Sequence, residues 1–106
     1  MATVRLVVLY PHPTDVEQFN RDYQDHLKLV HAKTQIPEDA RPYTVTRFVE
    51  TPTGKPPFYQ MYTIPFPSLE AFQQAASAPA MQELGADAAR ISTGGPPVIL
   101  VGVDVT

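Results

Sequence analysis

The sequence predicts an α+β fold in the order β-α-β-β-α-β, a four-stranded antiparallel sheet carrying both helices on one face. Three observations lead there. Four runs rich in β-branched and aromatic residues are separated by turn-forming clusters. Helix-period patterns follow the first run and the third, which is the split β-α-β order. With 106 residues, 43% hydrophobic and 18% charged, the chain has the size and apolar content of one globular domain over residues 1–106.

Thr3 to Tyr10 (TVRLVVLY) is the first strand, and Pro11-His12-Pro13 stops it. Thr14 then opens T-D-V-E, a capping box with Glu17 at the third helical position. Val16, Phe19, Tyr23, Leu27 and Val30 follow at spacings of three and four, giving a helix with one apolar face. Asp15 and Glu17 in its first turn, and Lys28, His31 and Lys33 near its end, match the helix dipole. Tyr43 to Glu50 reads as the second strand, Thr51 to Pro57 as a turn, and Phe58 to Phe66 as an antiparallel third strand. Pro65 argues for an edge or a bulge near the end of that strand. Ser68 caps a short helix through Ala76, and Pro79 restarts a helical segment to about Arg90 with Met81, Leu84 and Ala88 on one stripe. Thr93-Gly94-Gly95-Pro96-Pro97 breaks it, and Val98 to Val105 is the fourth strand. The twelve prolines fall between periodic segments as punctuation, not as a PxxP tract.

Strand parity carries a further message. Val4, Leu6, Val8 and Tyr10 point one way and Val7 and Leu9 the other. Phe58, Tyr62, Ile64 and Phe66 oppose Tyr59 and Met61, and Val98 and Leu100 oppose Ile99, Val101 and Val103. An antiparallel sheet with one wet face alternates apolar with polar, whereas this one is apolar on both. Two helices cover one face, so the simplest cover for the other is a second subunit: a homodimer through the sheet face. A sheet face partly open to a ligand is the alternative.

Composition removes whole classes of function. No Cys is present, which excludes disulfides, thiolate chemistry and Cys-ligated metals. A net charge of -3 without a basic cluster offers nucleic acid no footprint. The longest apolar run, Leu6 to Tyr10, is far short of the roughly 20 residues that span a bilayer. With no export signal ahead of the first strand, a cytoplasmic protein is expected. Gly94-Gly95 precedes a strand, not a helix, so no dinucleotide cradle forms there. His26 and His31, five residues apart, diverge by about 140° on a helix, so no metal pair and no cofactor is expected.

His26 is the titratable group of interest. It lies about 60° from the centre of the apolar stripe, beside Phe19, Tyr23 and Val30, with Asp22 one turn earlier as a potential partner for one ring nitrogen. An imidazole at the wall of a helix–sheet pocket can serve as general acid or base, or it can be a half-buried boundary residue with one hydrogen bond. His12 reads as a solvated loop group and His31 as a dipole-matched surface residue. Arg47, sharing a strand face with Tyr43, Val45 and Val49, either snorkels to an edge or pairs with an anionic group in a cavity.

Val7-Val8-Leu9-Tyr10-Pro11-His12-Pro13, followed by Phe19, Tyr23, His26, Leu27, Leu29 and Val30 on an acidic-start helix, resembles the EthD family. Ser68 to Phe72 (SLEAF) and the late Thr93-Gly94-Gly95 fit the same pattern. The resemblance implies a dimeric α+β barrel of ferredoxin-like subunits, each with a small pocket into which the histidine matching His26 points. Relatives of that superfamily include muconolactone-type isomerases, cofactor-free oxygenases on polycyclic aromatics, and fungal polyketide decarboxylases or cyclases. The founding member assists ethyl tert-butyl ether degradation beside a monooxygenase. Many relatives carry a proline where this chain has Lys28, which leaves the helix uninterrupted.

The resemblance and the residues together set three expectations. The first is a cofactor-independent isomerase, lyase or oxygenase on a small aromatic, lactone or polyketide-like ligand. In it His26 moves the proton, Phe19 and Tyr23 bind substrate, and Arg47 holds a carboxylate or enolate oxygen. The second is a non-catalytic module that binds a small hydrophobic molecule or assists a monooxygenase, with His26 structural. The third is a haem-handling barrel.

Overall fold

Alternation in the first apolar run decides how the sheet is laid. In β1 (Val4–Tyr10) the side chains of Val4, Leu6, Val8 and Tyr10 are buried, while Val7 and Leu9 between them stay half-exposed. The computed structural model describes residues 2–106. After β1 come α1 (Val16–Thr34), β2 (Thr44–Arg47), β3 (Gln60–Phe66), α2 (Leu69–Ala76), α3 (Pro79–Ile91) and β4 (Val98–Val103). β1 is central and antiparallel to both neighbours, in the strand order β2-β3-β1-β4. Register puts Leu6 opposite Ile64 and Val101, and Val8 opposite Tyr62 and Ile99, so these form one face. The helices pack on that face, α1 against α3, around Tyr10, Phe19, Tyr23, Ala88 and Ile91.

Several boundaries differ from the sequence expectation, each for a local reason. Asp15, not Thr14, caps α1: its carboxylate accepts from the Gln18 N–H at 3.0 Å. Thr14 instead donates its N–H to Thr93 Oγ1 at 3.1 Å, tying the start of α1 to the loop before β4. β2 is shorter than Tyr43 to Glu50, because beyond Phe48 the chain closes on itself in a Thr51–Gly54 turn with bonds of 2.9 and 3.1 Å. β3 begins at Gln60, and Tyr59 lies ahead of its alternation. The Tyr59 ring therefore packs edge-on against Phe19 on α1 (5.7 Å between centroids), not on the face shared with Met61 as parity implied. Pro65 falls in β3 beyond Thr63, the last residue that β2 flanks, so its missing N–H costs no ladder bond on that side.

The loop before β4 depends on glycine. A Cβ on Gly94 would stand 1.8 Å from the carbonyl oxygen of His12, and Gly95 has φ of 142°. These residues let the β1–α1 and α3–β4 loops touch backbone to backbone. The opposite face of the sheet carries Val7, Leu9, Met61, Val98 and Leu100, and among the described residues no element covers it. Both faces of β4 are exposed along its whole length.

Candidate functional site

α1 packs on α3, and that contact places a carboxylate on the buried histidine. His26 is 5% exposed, and its Nδ1 lies 2.8 Å from Oδ2 of Asp87. The other carboxylate oxygen, Oδ1, accepts from Arg90 Nε at 2.9 Å and Nη2 at 2.8 Å. Burial pushes the Asp87 carboxyl upward, but the hydrogen bonds and charges of His26 and Arg90 outweigh it and hold the group below its usual range. An ionised carboxylate can only accept, so Nδ1 of His26 carries a proton, and in the neutral imidazole Nε2 is the nitrogen with the lone pair. Among the described residues, Nε2 has no hydrogen-bond partner, and His26 lines a cavity.

That cavity, about 450 Å³, lies between helices and sheet. Leu6, Val8 and Ile64 form its floor, and Phe72, Met81 and Leu84 stand on the helical side. Four lining side chains can hydrogen-bond: Tyr10, His26, Thr34 and Tyr62. Thr34 is already committed, its hydroxyl donating to the Val30 carbonyl at 2.5 Å. Burial raises the phenols of Tyr10, Tyr23 and Tyr62 far above the ordinary tyrosine range, so each is an O–H donor and not a base.

The residues singled out from sequence meet different fates. Phe19 and Tyr23 stand behind the cavity wall, stacked at 5.7 Å, with Tyr23 a further 5.7 Å from the His26 ring. They buttress the imidazole and do not line the cavity. Arg47 also lies outside it. Its guanidinium covers the Tyr59 ring at 4.9 Å and donates through Nη2 to Asn20 Oδ1 and Gln60 Oε1, each at 3.0 Å. Arg47 stands on β2, the outer strand of the sheet, where its guanidinium is held between Asn20 of α1 and Gln60 of β3. Asp22 is not the partner of His26; it accepts from Gln18 Nε2 at 2.8 Å on the exposed flank of α1.

His31 is buried and not a surface residue. Its Nδ1–H donates to the carbonyls of Ile36 (3.2 Å) and Pro37 (3.1 Å), leaving Nε2 to accept from Tyr43 Oη at 2.7 Å. It ties the chain after α1 back onto the helix. His12 donates its Nε2–H to the Pro56 carbonyl at 2.7 Å. Lys28 leaves α1 continuous and is exposed beside Asp25. Among the described residues, no three His, Asp or Glu side chains are arranged to hold a metal ion.

Sequence reasoning missed Asp87. Asp87 is 61 residues from His26. Its local signal was a carboxylate three residues after Leu84 and four before Ile91, inside the stripe that α3 buries. Tyr10, on the face of the first strand shared with Val4, Leu6 and Val8, is a core residue that also lines the cavity.

A family model of the EthD domain matches residues 11–94. No functionally curated protein matches the chain. An EthD family protein from Bacillus halodurans is 29% identical with a TM-score of 0.79, over 99% of this chain and 100% of that one. A dimeric ferredoxin-like protein of unknown function from Jannaschia is 12% identical with a TM-score of 0.67, over 96% and 98%. A hydroxynitrile lyase from Passiflora edulis is 14% identical with a TM-score of 0.71, over 98% and 95%. The last two likenesses are of fold, and the fold they share with this chain is ferredoxin-like.

Proposed function

The chain belongs to the EthD family, and from that premise we propose that it is a cofactor-independent proton-transfer enzyme, an isomerase, lyase or cyclase. Its substrate is a small aromatic, lactone or polyketide-like molecule held in the cavity. One observation carries this reading: His26 borders an apolar cavity with Nδ1 fixed by Asp87 and Nε2 unpartnered. That is the arrangement a general base needs, a tautomer fixed from behind and a lone pair facing the reactant. A cavity of about 450 Å³ is in the range that encloses small organic ligands. A hydroxynitrile lyase has the same fold, which supports the compatibility of this architecture with lyase chemistry. The chemistry suits a pathway that breaks down ethers or aromatic compounds, the setting the family resemblance implied.

A homodimer through the uncovered sheet face belongs to the same reading. It is supported by the apolar strip of Val7, Leu9, Met61, Val98 and Leu100 and by the dimeric Jannaschia relative of the fold. The second reading, a binding module without catalysis, draws on the sparse polar lining of the cavity.

Solvent deuterium exchange separates the two. Incubated in deuterium oxide with a panel of aryl ketones and lactones, the protein is expected to speed exchange at the carbon next to the carbonyl for one compound class. His26→Ala should lower that rate by about 100-fold or more. An unchanged rate in His26→Ala would return the protein to the binding reading.

A further inference from the structure

The cavity holds a second hydrogen-bonding group whose position gives the substrate an orientation. Tyr10 is 1% exposed, yet its side chain lines the cavity. Its ring meets Tyr23 edge-on at 5.5 Å between centroids, and Tyr23 meets the His26 ring at 5.7 Å, so Tyr10 stands one ring away from the dyad. The other candidates are differently engaged. The Thr34 hydroxyl is bonded to Val30, and Tyr62 is stacked on Tyr43 at 5.3 Å, toward the His31 end of the core.

We propose that Tyr10 is the donor that holds the substrate oxygen while His26 works on the adjacent carbon, which makes the substrate an apolar carbonyl compound with a hydrogen on that carbon. The proposal rests on the reading of His26 as proton carrier and takes the oxygen-holding role from Arg47, which lies outside the cavity. The step balances without a further reactant. The C–H bond breaks and its proton forms N–H at His26 Nε2; the electron pair becomes the C=C bond of an enolate; the carbonyl oxygen takes the negative charge and is met by the Tyr10 O–H. The imidazolium, its Nδ1–H still on Asp87, then returns the proton to a second carbon or to a leaving group.

Binding of 2-naphthol and of naphthalene to the full chain tests this without any turnover. The naphthol oxygen can accept from Tyr10 and its O–H can donate to His26 Nε2, whereas naphthalene offers the same apolar surface and no oxygen. The wild type is expected to prefer 2-naphthol by about tenfold. Tyr10→Phe should erase most of that preference and leave naphthalene binding unchanged, and Tyr62→Phe should retain it. In the unaltered protein labelled with ¹³C at the tyrosine ring carbon bearing the hydroxyl, the Tyr10 signal should move with 2-naphthol and not with naphthalene. A preference that survives Tyr10→Phe, or a Tyr10 signal indifferent to 2-naphthol, overturns the proposal and leaves the His26 reading standing. Failure of both compounds to bind overturns the proposal and the ligand cavity together.

Discussion

Asp87 is held in a balance that has consequences for pH. Burial opposes its charge, and the His26 and Arg90 donors favour it by more. Because its folded pKa lies below the value of 3.8 assigned to a free Asp side chain, its ionised form stabilises the fold. That contribution is complete above the usual carboxylate range and is lost as pH falls through the depressed folded value. Asp87→Asn is therefore expected to lose about 1–2 kcal/mol at neutral pH and to show a shallower loss of stability than the wild type between about pH 5 and pH 3. Denaturant melts across that range check it; the Arg5–Asp104 pair, also favouring its charged form, is common to both proteins and cancels. His26 was legible at this scale because one helix face is a local pattern. Asp87 was not, because the pair joins two helices through packing, and periodicity says which face is buried without saying what meets it.

Helices and loops set the shape of the cavity, and two glycines make opposite predictions. A Cβ on Gly85 meets nothing within 4 Å, and the residue lies in α3 on the cavity wall. Gly85→Ala should stabilise the protein by about 0.5–1 kcal/mol while narrowing the cavity. Gly94→Ala forces a methyl into the His12 backbone and should cost about 3 kcal/mol, with the β1–α1 and α3–β4 loops drawn apart. Thermal unfolding of the two variants reads both signs. The types and order of these elements could be read from period-two and period-3.6 patterning. The start of α1 could not be placed to the residue, because Thr14 and Asp15 are both good caps. What decided between them is the Thr14 bond to Thr93, a contact made only once the fold has closed.

At the scale of the whole molecule, the apolar parity of both sheet faces was visible in β1, β3 and β4. Only the register shows that Leu9 joins Met61 and Val98, and Val7 joins Leu100, as one uncovered strip. Leu100 is half-exposed in the single chain. Leu100→Glu is thus expected to leave the fold intact and to convert a particle of twice the chain mass into a monomer, as measured by light scattering after gel filtration. The cavity is also a property of the whole, since β1 and α1 bring Tyr10 and His26 to it and α3 brings Asp87 onto the histidine. The most direct test of that convergence is a long-range ¹H–¹⁵N spectrum of the histidine rings, with and without an aryl ketone such as 2-tetralone. The account predicts that His26 carries its proton on Nδ1 and that its Nε2 resonance moves with the ketone, while that of His12 stays fixed. A His26 protonated on Nε2, or one indifferent to every ketone tried, would contradict it.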